Sequence, residues 1–246
     1  MAVEPRSRTV VFDLDDTLFA ERDYVRSGMA AVAALVEQLN GEACPLDTLP
    51  EADPLDAIRR RAGLPETALE ALLWTYRLHR PTITLRPGAA AAIAGCRRRG
   101  EAVAVLTDGR AVTQRLKLAA LGLDLDGIFI SEELGATKPS DIGFGAVERA
   151  LPAASYVYVA DNPEKDFLAP NARGWWTIGL GPLPDGIHAC DLSELPSRAL
   201  PMMWAADFGN VAALLAGDQC ALRSRSSRSA TRRRIDGSGA PNPIDL

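Results

Sequence analysis

Apolar and polar positions along this chain keep switching between a continuous short-run pattern and a helical one, and the switches predict strands and helices in alternation. The run Val10-Val11-Phe12 is apolar, β-branched and aromatic, and ends abruptly in Asp13, Asp15 and Asp16, with Leu14, Thr17 and Leu18 among them. Such a run reads as a buried strand. Three more follow: Glu101 to Leu106, which leads into Thr107-Asp108-Gly109; Gly127 to Ser131; and Ser155 to Ala160, which leads into Asp161-Asn162-Pro163-Glu164-Lys165-Asp166. Trp175 to Ile178 is a fifth, its tryptophans read as core or interface packing. Between them, Ala89 to Arg99, Val112 to Leu121, Phe144 to Leu151 and Lys165 to Arg173 are the expected crossover helices. Strands alternating with helices over short connections predict an α/β fold, a doubly wound, Rossmann-like parallel sheet.

The stretch after the first strand lacks strand-like runs. Val25, Met29, Val32, Val36 and Leu39 recur at helical spacing over 24–39, and Leu69, Leu72, Leu73 and Tyr76 do so over 67–78. This predicts a small α-helical insert over 21–85, between core segments 8–20 and 86–200. Pro54 and Pro65 suit helix starts, and Arg86-Pro87-Gly88 suits the turn back to the core. Residues 201–221 read as a C-terminal helical segment. Residues 222–246 carry Arg223, Arg225, Arg228, Arg232, Arg233 and Arg234 among serines and read as an unstructured tail.

In a parallel sheet, ligands bind beyond the carboxyl ends of the strands. Here those ends deliver acids, a hydroxyl from Thr107 and, in the loop after the third strand, Lys138. Clustered carboxylates repel one another unless a cation joins them, and an all-oxygen set suits magnesium, which typically takes one or two carboxylates plus a substrate phosphate. A carboxylate can also act as a nucleophile in phosphoryl transfer. Asp13, nearest the strand, is the candidate nucleophile. Two residues on, Asp15 would share its side of an extended segment while Leu14 turns inward, which suits Asp15 to general acid/base work. Asp16 is a candidate helix cap, and Asp108 a candidate turn or metal-site residue.

This order of motifs resembles the haloacid dehalogenase-like (HAD) hydrolase superfamily, in its phosphatase branch. The first motif, Asp-x-Asp-x-Thr after an apolar strand, is matched by Asp13, Asp15 and Thr17; the second by Thr107; the third by Lys138; and the fourth, an acid pair, by Asp161 and Asp166. One departure is Ala160, where family members usually carry Gly before the fourth-motif acid. The resemblance implies an aspartyl-phosphate on Asp13, with Asp15 as acid and base and Thr107 and Lys138 on the phosphoryl oxygens. It also implies Mg2+ held by the Asp13 and Asp161 carboxylates and the Asp15 main-chain carbonyl, with Asp166 in support. The insert would be a cap that closes over the site and selects the substrate. Arg22, Arg26, His79 and Arg80 are its candidate substrate contacts. The expected substrate is a small phosphorylated metabolite such as a sugar phosphate, a nucleoside monophosphate or phosphoglycolate. A phosphosugar mutase, a dehalogenase, and a non-catalytic binding protein recruited by the Arg-rich tail are the alternatives; Asp15 speaks against the dehalogenase.

Composition narrows this further. With 246 residues, 47% of them hydrophobic, the chain is long enough for a catalytic core plus an insert. A net charge of -5 does not suggest wholesale nucleic-acid binding, so an RNA or acidic partner would have to act locally through the tail, a reading disfavoured by the lack of interleaved aromatics there. Membrane-length apolar spans and a signal-like amino terminus are absent, which makes a cytoplasmic enzyme the expectation, as a monomer or dimer. Cys44, Cys96, Cys190 and Cys220 lie far apart and read as reduced thiols. Only two histidines, His79 and His188, occur, and neither a Gly-x-Ser-x-Gly elbow nor a Gly-x-x-x-x-Gly-Lys loop is present.

Overall fold

The computed structural model describes residues 6–46, 53–183, 186, 192 and 195–217. Its centre is a six-stranded sheet of β1 (Thr9–Phe12), β2 (Ala102–Thr107), β3 (Gly127–Ile130), β4 (Tyr156–Ala160), β5 (Trp176–Leu180) and β6 (Met203–Ala205). Every pairing is parallel and the spatial order is β3-β2-β1-β4-β5-β6. The expected doubly wound α/β fold is therefore present. Val10 lies opposite Val103 on one side and Val157 on the other, so β1 is central, and the strand order turns there toward either edge.

The period of two sorts each strand's side chains between two cores. Val10, Phe12, Val103, Val105, Val157, Val159, Ile178 and Leu180 fill one face with helices α4 (Ala89–Arg98) and α9 (Phe208–Leu215). Val11, Ala104, Leu106, Tyr158 and Ala160 fill the other, with Phe144 and Val147 of α7 (Ile142–Ala150), Phe167 and Trp175. Both faces are covered, which is why these strands read as unbroken apolar runs. Trp175 is core, as expected: it stacks on Tyr156 at 4.7 Å and donates to Glu148 Oε1 at 2.8 Å.

Three helices form the insert: α1 (Glu21–Asn40), α2 (Pro54–Arg61) and α3 (Ala68–Leu78), packed around Met29, Val32, Val36, Ile58 and Leu72. Pro54 opens α2 as expected, whereas Pro65 lies in the turn before α3. The remaining helices are α5 (Ala111–Leu121), α6 (Ser131–Leu134) and α8 (Leu168–Ala172).

Two expectations need correction. The helix expected over 165–173 shrinks to five residues, because Asp166 and Lys165 take part in a turn closed by the Asn162 carbonyl. Residues 201–221 are not wholly helical: Met203–Ala205 joins β5 as the edge strand before α9 begins. Cys190, Cys220, His188 and the Arg-rich tail lie outside the described residues. Among the described residues no helix is long and apolar enough to cross a membrane.

Candidate active site

The carboxyl end of β1 continues its ladder by one residue, with the Asp13 N–H donating to the Val159 carbonyl at 2.9 Å. That bond holds the Asp13 backbone against β4, one residue beyond the stretch where β1 pairs with both β2 and β4. Leu14 then turns into the core, and Asp16 adopts a left-handed backbone, φ 52°, a conformation that Asp tolerates better than most residues. Its carboxylate accepts from the Glu21 N–H at 2.9 Å, so Asp16 does cap α1, and it also faces Arg86.

Lys138 reaches this strand end from the loop after α6. Its Nζ lies 2.6 Å from Asp13 Oδ1 and 2.6 Å from Asp166 Oδ1, and donates to Tyr158 Oη at 3.0 Å. The loop is pinned by the Lys138 N–H donating to Asp108 Oδ1 at 3.1 Å, which gives Asp108 a positioning role. Burial by itself would lower the Lys138 ammonium, but Asp13 and Asp166 outweigh it and hold the charge well above the ordinary lysine range. Thr17 donates to Asp161 Oδ1 at 2.9 Å and lies 3.4 Å from Asp13 Oδ2, so the first motif's threonine bridges its acid to the fourth motif. Asp166 accepts from the Asn162 N–H at 3.1 Å.

Asp13, Asp161 and Asp166 each offer a carboxylate oxygen within 4.8 Å of the other two. Burial first, then the Asp13 and Asp166 charges, pushes the Asp161 carboxyl up to about 8. Burial likewise raises Asp166, against the pull of Lys138. Crowding of this kind leaves Asp161 holding a proton near neutral pH, and a hard divalent cation would relieve the repulsion through oxygen ligands alone. The donor set therefore fits magnesium.

The Asp15 carboxylate is not in that group. It parts from Asp13 and turns toward α5, where Lys117 Nζ lies 2.6 Å from Oδ1 and Gln114 Nε2 donates to Oδ2 at 2.7 Å. The same amide lies 2.7 Å from Thr107 Oγ1 and 2.7 Å from the Asp108 carbonyl, while Gln114 Oε1 is buried with no hydrogen-bond partner among the described residues. Thus Asp13, Lys138, Asp161 and Asp166 form one cluster, and Asp15 and Thr107 a second joined by Gln114. Sequence reasoning missed Gln114, Lys117 and Tyr158. A signal for the first two was available: they share the face of α5 that carries Leu118, where apolar residues belong.

The candidate contacts from the insert fare differently. His79 is spent inside it, with Nδ1 2.6 Å from the Tyr76 carbonyl and Nε2 2.7 Å from Ser27 Oγ, so the ring ties α3 to α1 rather than reaching for a ligand. Arg22, Arg26 and Arg80 are exposed, and Arg26 lies 3.7 Å from Asp23. Glu21, which was not singled out, is half-buried at the start of α1, and burial followed by the nearby Asp15 charge pushes its carboxyl up to about 7.

Comparison with known proteins places these features. The family model described as haloacid dehalogenase-like hydrolase matches residues 7–172. A phosphoserine phosphatase from Thermus thermophilus is 36% identical over 135 residues, which make up 52% of this chain and 54% of that protein, so the match spans about half the relative's length. Among solved structures, a 2-haloacid dehalogenase from Pseudomonas syringae superposes with a TM-score of 0.58 at 24% identity, covering 85% of this chain and 98% of that one. A Haemophilus somnus protein described as a predicted phosphoglycolate phosphatase does so with a TM-score of 0.58 at 17% identity, covering 87% and 99%. At these identities the two structures speak for the fold alone.

Proposed function

This chain belongs to the haloacid dehalogenase-like hydrolases, and from that premise we propose that it is a magnesium-dependent phosphatase of a small phosphorylated metabolite, working through an aspartyl-phosphate on Asp13. The observation that carries this reading is the buried Lys138 ammonium, 2.6 Å from Asp13 and 2.6 Å from Asp166 at the end of the central strand. Negative charge gathers there as a phosphoryl group is transferred, and a fixed cation stabilises it with no reorganisation.

In the first step an Asp13 carboxylate oxygen attacks phosphorus, the bond to the leaving oxygen breaks, and Asp15 supplies that oxygen with a proton. In the second, Asp15 takes a proton from water while the water oxygen attacks the same phosphorus, which frees phosphate and restores the Asp13 carboxylate. Thr107 and Lys138 hold the remaining phosphoryl oxygens. Asp13 and Asp161, with the Asp15 main-chain carbonyl and Asp166 in support, would hold magnesium. When bound, that ion supplies positive charge against the repulsion between the nucleophile and its anionic substrate.

The core segments 8–20 and 86–200 do the chemistry in this reading, and the insert over 21–85 acts as a cap that chooses the substrate. The phosphoserine phosphatase relative adds phosphoserine to the candidates already named, sugar phosphates, nucleoside monophosphates and phosphoglycolate. The test is phosphate release from a panel of these compounds, with magnesium or with EDTA, by the wild type and Asp13→Asn. Release that needs magnesium and vanishes in the variant is the expected result. Release that persists in a folded Asp13→Asn protein would remove Asp13 as nucleophile.

A further inference from the structure

Lys117 sits on α5 with its side chain only 5% exposed, and nothing in the chemistry above uses it. Besides the contact to Asp15 Oδ1, its Nζ lies 4.2 Å from the centre of the Tyr24 ring and 5.7 Å from that of Phe19. A cation over an aromatic face is attracted by the ring quadrupole, most strongly when desolvated. Gln114, one turn earlier on the same helix face, donates to the other Asp15 oxygen. Both oxygens of a single carboxylate are therefore gripped from one helix, which fixes its plane as well as its position. Because the Gln114 amide also touches Thr107 and the Asp108 carbonyl, the grip sets Asp15 in register with the second-motif hydroxyl.

Stability alone does not account for an ammonium here. Between two aromatic rings on a buried helix face, an apolar side chain of similar volume would pack without losing hydration, and exchanging buried ion pairs for such residues is often neutral or favourable. What an apolar residue would not do is orient a carboxylate. Tyr24 belongs to α1 of the insert, so the insert touches the same ammonium that holds Asp15.

We propose that Lys117 is a positioning residue: with Gln114 it orients Asp15 for proton transfer, and through Tyr24 it ties that orientation to the seating of the insert. This rests on the phosphatase reading. Its signature lies in the leaving group. An alkyl phosphate needs a proton on its departing oxygen, whereas p-nitrophenyl phosphate releases a stabilised phenolate that needs little help. Misplacing Asp15 therefore penalises the first far more than the second.

The experiment compares kcat/KM for p-nitrophenyl phosphate with that for an alkyl phosphate from the substrate panel, in the wild type, Lys117→Met, Lys117→Arg, Asp15→Asn and the double variant Asp15→Asn/Lys117→Met. Proton transfer by a placed side chain contributes about 100-fold or more, so Lys117→Met is expected to lower the alkyl-to-aryl ratio by at least about tenfold. Asp15→Asn lowers it likewise, the double variant lowers it no further, and Lys117→Arg restores much of it. Tyr24→Leu, which keeps the ion pair and removes the ring, gives a smaller shift in the same direction. If Lys117→Met does not fold, Lys117→Gln is read in its place. Equal losses on both substrates, or a further fall in the ratio in the double variant, would overturn the role of Lys117 while leaving the phosphatase intact. The alkyl substrate is whichever panel compound the wild type hydrolyses best, and a folded, magnesium-supplied wild type that hydrolyses neither p-nitrophenyl phosphate nor any compound of that panel overturns the phosphatase reading, and this proposal with it.

Discussion

Asp161 carries the sharpest consequence of crowding carboxylates around one cation. With its carboxyl pushed up to about 8 by burial and by Asp13 and Asp166, it holds a proton at neutral pH in the metal-free protein. Magnesium binding at this site, as proposed, would have to expel that proton. Titrating magnesium into the metal-free protein in buffers of different ionisation enthalpy should show release of about one proton per ion at pH 6.5 and much less at pH 9, with affinity rising up to a pH of about 8. A heat of binding independent of the buffer would contradict the arrangement. Glu21 gives a second test, with the sign worked out. Its folded-state value, about 7, lies above the ordinary 4.5, so the folded protein holds this proton more tightly than the unfolded chain does. The contribution to stability is full below the ordinary value and is lost as pH rises through about 7. Glu21→Gln keeps the neutral shape and sheds that loss, so at pH 8 it should be more stable than the wild type by about 1–3 kcal/mol. Near pH 4, urea unfolding should no longer separate the two.

At the scale of elements, legibility followed length and chemistry. β1, β2, β4, α1 and α3 were plain because long apolar runs and sustained helical spacing leave few alternatives. β6 was not, since three residues are too few to show a period. The acids, Thr107 and Lys138 were legible from type and strand-end position. Lys117 and Gln114 were legible only as polar residues on the Leu118 face of α5, with nothing to say what they hold, because a charged or amide residue on a helix is ordinarily solvated; the packing of α5 against Tyr24 and Asp15 buries them. His79 shows the opposite failure, a residue with useful chemistry absorbed by packing. Its neighbour Gly28 makes that packing testable. A Cβ at Gly28 would lie 2.6 Å from two ring carbons of Tyr76 and 3.1 Å from His79 Cε1. Helix propensity favours alanine there by at most about 1 kcal/mol, whereas overpacking costs about 1–3 kcal/mol. The Tyr76 ring is also held edge-on to Tyr24 at 5.5 Å, which limits its retreat. Gly28→Ala should therefore lower the melting temperature despite improving the intrinsic helix, and a raised one would show that the rings yield freely.

At the scale of the whole molecule the candidate site lies where the sheet order turns, and the alternation of elements foretold a parallel sheet though not which strands would be neighbours. That order makes β1 depend on the far end of the chain. After β6, α9 returns to pack on α4, burying Phe208, Val211, Leu214 and Leu215, and Phe208 lies 6.3 Å from Phe12, the residue just before Asp13. Arg8, just before β1, donates to the Leu215 carbonyl and pairs with Glu101 at the start of β2, so α9 is also tied to the amino end of the central strands. Burying each of those four side chains is worth roughly 1.5–3 kcal/mol, together about 6–12 kcal/mol against a typical domain stability of about 5–15 kcal/mol. A chain ending at Leu200 would expose the Phe12 face of β1 as well as lose that burial. It should bind the hydrophobic dye ANS and melt without a cooperative transition, whereas a chain ending at Gly217, which keeps α9, should retain a cooperative one. If the shorter chain instead melted cooperatively at the same temperature, β1 would not need α9. The setting of Asp13 would then rest on β2 and β4 alone.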